Sequence, residues 1–177
     1  MSAPYDVPAG LGHEVAPVDV GVFRRAMGRF ATGVTVVTTL ERGVDHAMTA
    51  NAFASVSLDP LLVLVCVEQE ARFHDAVQAA GVWSVSILDG SARAVAAWLA
   101  TRGRPLHGQL DRVPHHRGLQ TGTALLDQSL ATMECRTTAL HAGGDHTIVV
   151  GEVLAAELPE REGAALVYYR GAYGRLE

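Results

Sequence analysis

"SLATMECRTTALHAGGDHTIVVGEVLAAEL", Ser129 to Leu158, is the stretch that decides the fold. Two runs carrying Thr, Leu, Val and Ile flank "GGD", Gly143 to Asp145. β-Branched and apolar residues suit a pleated, half-buried surface, and glycine supplies the positive φ of a tight reversal. The spacing predicts one long hairpin. A strand that turns straight back pairs antiparallel, so the sheet built on this hairpin is antiparallel.

Working outward, "GVTVVTTL" (Gly33 to Leu40) and "VWSVSIL" (Val82 to Leu88) read as strands. "LLVLVCV" (Leu61 to Val67) reads as a strand buried on both faces. "ERGVD" is a turn, "HAMTANAF" begins the return strand, and "ALVYYRGAYGRL" closes the chain with a last strand. "VDVGVFRRAMGRFATG" reads as a helix capped by Asp19, with Phe23, Met27 and Phe30 at helical spacing and Gly33 as its stop. "ARFHDAVQAAG" is a helix closed by Gly81, and "DGSARAVAAWLATRG" is another, capped by Asp89 or Ser91. Gly103 to Gly122 carries Pro105, Pro114 and several His and Arg, and reads as a surface excursion. About six or seven strands against two or three helices, without strict alternation, predict a mainly β fold, a closed Greek-key antiparallel barrel with flanking helices. Residues 1–17 read as a flexible leader and 18–177 as one domain.

Composition excludes several classes. The chain has 177 residues, 49% hydrophobic and 19% charged, where a soluble domain averages ~25% charged. That apolar excess predicts an obligate oligomer. A formal charge of -5 disfavours nucleic acid. No run is long enough to span a membrane, and the N-terminal stretch has neither a basic nor an apolar signal region, so a cytoplasmic protein is expected. Cys66 and Cys135 lie in apolar runs without a CxxC pair and read as core residues. The eight histidines lack metal spacing, and no metal site is expected. Nucleophile-elbow, Walker and G-x-G-x-x-G patterns are absent.

An organic cofactor remains as the carrier of chemistry. "HAMTANAFASVSLDP", His46 to Pro60, is built of small and hydroxylated side chains. Such a surface lets the backbone approach a flat ring, and Thr49, Asn51, Ser55 and Ser57 add donors without charge. The same stretch also fits a strand with a Ser/Thr-rich solvent face, and the residues alone leave both readings open.

"RRAMGRFATGVTVVTT", "HAMTANAFASVSLDPLLVLVCV", "GVWSVSIL", "LATMECRT", "GGDHTIVVGEV" and "LVYYRGAYGRL" stand together in order. With them the chain resembles the short flavin reductases of two-component flavin-dependent monooxygenases, the 4-hydroxyphenylacetate monooxygenase reductase type. The resemblance runs from about Phe23 to Leu176, and each motif alone would be weak. It implies a homodimeric split barrel that binds FMN or FAD without covalent attachment. NADH or NADPH would reduce the flavin, which then diffuses to a separate oxygenase.

By the same resemblance, Asp45, His46, Ala47, Met48, Thr49, Asn51 and Ala52 line the flavin, with Cys66, Val67 and Glu68 along it. Arg72 is the phosphate partner. Phe73 stands where the family has Ser or Thr, so one hydroxyl donor is missing, and Ser86 replaces a usual Asn at a structural position. Asp145, His146 and Tyr173 fall on the nicotinamide side. No catalytic side chain is implied, since hydride passes between stacked rings and the protein orients them. A flavin- or haem-binding module of the same barrel type, without turnover, is the rival reading, and an interaction scaffold is a weaker third.

Overall fold

The computed structural model describes residues 16–160 and 163–176. Nearly all of the expected leader, residues 1–17, lies outside them. Helix α1 (Val20–Met27) is capped by Asp19, whose carboxylate accepts the Val22 N–H at 3.0 Å. The helix ends at Gly28, not Gly33 as its sequence suggests. The Gly28 N–H closes onto the Arg24 carbonyl, and Thr32 and Gly33 form strand β1 (Thr32–Gly33) against a later strand. Sheet pairing takes the residues that helical periodicity had claimed.

Strands β2 (Thr35–Glu41) and β3 (Val44–Ala50) form one antiparallel hairpin, and β4 (Phe53–Leu58) and β5 (Leu61–Glu68) a second. Helix α2 (Arg72–Ala80) stops at Gly81, which takes the left-handed conformation (φ 67°) that side chains avoid. After β6 (Val82–Leu88) comes α3 (Arg93–Ala100). Neither Asp89 nor Ser91 caps it: Ala92 holds that position, and the Asp89 carboxylate instead accepts the Ser91 N–H and hydroxyl. A short pair, β7 (His115–Arg117) and β8 (Ala124–Leu126), precedes the long hairpin β9 (Ser129–Gly143) and β10 (His146–Glu157). The closing segment is itself a hairpin, β11 (Ala165–Tyr169) and β12 (Ala172–Leu176), not one strand. Arg170 and Gly171 both have positive φ, 51° and 79°, and make its two-residue turn.

Twelve strands are thus present among the described residues. Seven form one sheet in the order β3-β2-β6-β9-β10-β5-β4, antiparallel at every pairing, with the decisive hairpin β9–β10 at its centre. Its edge strands β3 and β4 are separated in the chain only by Asn51 and Ala52. The sheet therefore curls until its two edges approach at that bend. The fold is mainly β with few helices.

Two further expectations are corrected. In β5 only Val63, Val65 and Val67 are buried. Leu62, Leu64 and Cys66, on the opposite face, are partly exposed within this chain. The segment 103–122 is not all surface, since Gln109, Leu110 and Val113 are buried. Ser86 is structural as expected, its hydroxyl accepting the Leu126 N–H at 3.0 Å.

Candidate functional site

The chain reaches the site along β3. His46, Ala47, Met48 and Thr49 from β3, Glu68 at the end of β5, and Arg72 and Phe73 at the start of α2 line one cavity of about 540 Å3. Small-molecule sites span roughly 300–1,000 Å3. Seven residues assigned by resemblance therefore surround one space. The far wall comes from the end of α3 and the segment after it, with Arg102, Arg104 and Gln109.

Three arginines, Arg72, Arg102 and Arg104, line the cavity against two carboxylates, Glu68 and Glu70, so its charge is net positive. Arg72 donates through Nη2 to the Arg104 carbonyl at 2.6 Å. Arg104 donates to the carbonyls of Thr101 (2.9 Å) and Ala47. Burial, with Arg72's charge beside it, pulls the Arg104 guanidinium below its ordinary range. Arg102 is paired with Glu68 through two contacts of 2.7 and 2.8 Å, which hold its guanidinium above that range. Neither Arg72 nor Arg104 has an ion-pair partner among the described residues.

Three buried polar atoms on this lining lack a hydrogen-bond partner: His46 Nδ1, Arg104 Nε and Gln109 Oε1. Buried polar groups are nearly always satisfied, and leaving one bare costs about 1–3 kcal/mol. Two cations without a carboxylate and three orphaned polar atoms on one lining fit a polar, anionic organic ligand. A phosphorylated flavin has that chemistry.

The remaining assigned residues fall elsewhere. Asp45 does not line this cavity: its carboxylate is held by Arg117 at 2.6 and 2.7 Å, and its carbonyl accepts from Gln109. Thr49 lines the cavity, but its hydroxyl donates to the Ala96 carbonyl of α3 at 2.8 Å. Asn51, Ala52 and Cys66 line a second, larger space together with Phe23, Met27 and Phe30. Ser55 and Ser57 line neither space, and Ser57 accepts the Asp59 N–H in the following turn. Val67 points into the core.

The "GGDH" turn sits beside the first cavity. His146 pairs in register with Glu68, and the Gln69 N–H donates to the Asp145 carbonyl at 3.0 Å. Asp145 bonds His146 Nδ1 at 2.8 Å, which holds its carboxyl below the usual range. His74 of α2 reaches the Thr147 hydroxyl at 2.9 Å, so the Arg72 helix is tied to the same strand. Tyr173 is not brought there; its ring packs edge-on against Tyr168, centroids 5.4 Å apart, and burial raises its phenol above the ordinary value.

Arg102, Arg104 and Gln109 are the residues that sequence reading missed. The available signal was "TRGR", two arginines in four residues directly after a helix. Among the described residues no group of three or more His, Cys, Asp or Glu could hold a metal.

The fold and the cavity define a class, an antiparallel β protein with a cationic cleft beside a glycine hairpin. Residues 27–177 match the model of the flavin reductase like domain, and the chain belongs to that family. It is 42% identical over 164 residues to an NADH-dependent FAD reductase of Streptomyces globisporus, covering 92% of this chain and 88% of that protein. It is 41% identical over 154 residues to the reductase component of 4-hydroxyphenylacetate 3-monooxygenase from Thermus thermophilus, covering 87% and 95%. Its fold matches the flavin reductase component of a bacterial two-component tryptophan halogenase with a TM-score of 0.84 and 44% identity, covering 89% and 98%. It also matches the Streptomyces globisporus NADH:FAD oxidoreductase solved with NAD and FAD fragments, at a TM-score of 0.82 and 38% identity, covering 92% and 98%.

Proposed function

We propose that the protein is an NADH-dependent flavin reductase that reduces FMN or FAD and supplies diffusible reduced flavin to a separate monooxygenase component. The observation that carries this reading is the cationic cavity with three orphaned polar atoms, set against the small-residue strand β3. Relatives named as NADH-dependent reductases of FAD and of FMN support it. A flavin held in the cavity would supply the hydride acceptor for a dihydronicotinamide. The chain's own part is to seat the phosphate at Arg72, offer the backbone of His46 to Thr49 to the ring, and admit the nicotinamide beside His146.

The finer assignments belong to the same proposal. The curled sheet is a split barrel closed at the Asn51–Ala52 bend. Residues 18–177 are the reductase domain. Asn51, Ala52 and Cys66 meet the flavin from the second space, which is completed by the partner of a homodimer. NADH is the donor preferred over NADPH, because Arg102, an exposed cavity arginine, is already committed to Glu68. A cytoplasmic location fits two free cysteines.

The test is NADH oxidation with FMN or FAD, followed by transfer across a flavin-permeable dialysis membrane at low oxygen to an oxygenase. Turnover with reduced flavin on the far side is expected. Flavin binding without NADH oxidation would leave the binding-module reading in its place.

A further inference from the structure

Phe73 is 3% exposed and packed in the core, so the first turn of α2 offers the cavity one cation, Arg72, and no hydroxyl. Arg104 reaches the cavity from the opposite wall, on the segment between α3 and β7. Its Nη atoms are bonded to backbone carbonyls, while its Nε is buried without a partner. Arg72 holds the Arg104 carbonyl, so the two residues form one unit. Two like charges sharing a partly desolvated space repel, and burial and that repulsion both act against the charged form of Arg104. An anion between them offsets the repulsion and gives the buried guanidinium a counter-charge. A guanidinium is also suited to phosphate, with donors in a fixed planar fork.

We propose that Arg104 is a second phosphate-binding residue, supplying from the segment after α3 the donor that Phe73 lacks, and that it selects phosphorylated flavins over riboflavin. The proposal rests on the flavin reading of this cavity. Arg102 does not share the role, because Glu68 already neutralises it. Arg104 has a structural duty as well, since it holds the Ala47 carbonyl of β3. The test must therefore separate phosphate binding from support of the strand.

Riboflavin, FMN and FAD are titrated by fluorescence quenching into the wild type, Arg104→Gln, Arg104→Lys and Arg72→Ala, without NADH. Arg104→Gln should raise the FMN and FAD Kd by about 10- to 100-fold, the range of a charge-assisted hydrogen bond. Its riboflavin Kd should stay within about twofold, since riboflavin has no phosphate for Arg104 to bond. Arg104→Lys should recover part of the FMN affinity, and Arg72→Ala should show the same dependence on phosphate. Equal weakening for riboflavin and FMN would reduce Arg104 to a strand support and overturn the proposal. Unchanged FMN affinity would overturn it too. A wild type that binds none of the three flavins would instead sink the flavin reading itself.

Discussion

His46 sits 9% exposed on the cavity lining, with Arg72 near it. Burial first, and Arg72's charge second, hold its pKa below the ordinary 6.5. The unfolded chain therefore binds the proton more readily. The stability linked to neutral His46 is full above pH 6.5 and drains as pH falls through the folded value. His116 runs the other way: its bond to Asp127 raises its pKa, so its contribution is present below 6.5 and is lost as pH climbs through the raised value. His116 is half exposed and screened, so His46 dominates. Urea midpoints should fall from about pH 8 to about pH 5. His46→Gln should flatten that fall. Parallel curves for variant and wild type would show that the acid sensitivity lies elsewhere.

Two elements of the central hairpin carry different burdens. Gly151 of β10 lies under the fully buried Trp83, where an added Cβ would come within 2.6 Å of the indole. Gly151→Ala should cost about 1–3 kcal/mol by overpacking, read as a lower urea midpoint at unchanged slope. Trp83→Phe in the same background should recover part of the loss, because the six-membered ring that meets the Cβ is removed. The turn at the other end is stitched to Gln69 rather than to the core. His146→Ala should therefore leave stability nearly unchanged while raising the KM for NADH more than that for flavin. A rise confined to the flavin KM would move this histidine to the other ligand.

At the scale of the molecule, the apolar residues of α1 and the segment just after it are left uncovered among the described residues. Phe23, Met27 and Phe30 are 58%, 52% and 68% exposed and border the second space with Leu64 and Cys66. A contiguous apolar surface of this kind marks an interface. Sedimentation should show a dimer at low micromolar protein, with Phe23→Glu shifting it to monomer. Cys135 is buried, its thiol pushed up to about 12, so it should resist thiol reagents in any native state. Cys66 should be protected in the dimer and react in the Phe23→Glu monomer. A wild-type monomer with full activity would remove the interface.

Local chemistry was enough to fix the elements whose reasons are local. The β9–β10 hairpin follows from β-branched runs around paired glycines, α2 from its periodicity and the left-handed Gly81, and the cap of α1 from Asp19. Resemblance carried the strand–helix lining from His46 to Arg72, because those residues keep their order along the chain. Other features depended on long-range pairing. Thr32 and Gly33 left the helix because β11, more than 130 residues later, pairs with them. One face of β5 stayed half-exposed because, among the described residues, the core packs only on its other face, at Val63, Val65 and Val67. Arg104 and Gln109 entered the site from a segment that periodicity could only read as irregular. Their place depends on where the end of α3 meets β3, a contact between residues more than 50 apart in sequence. The sequence alone thus determined the antiparallel class, the central hairpin and one wall of the cavity. Tertiary packing decided the second wall, since only the docking of α3 and the segment after it on β3 brings Arg104 and Gln109 there.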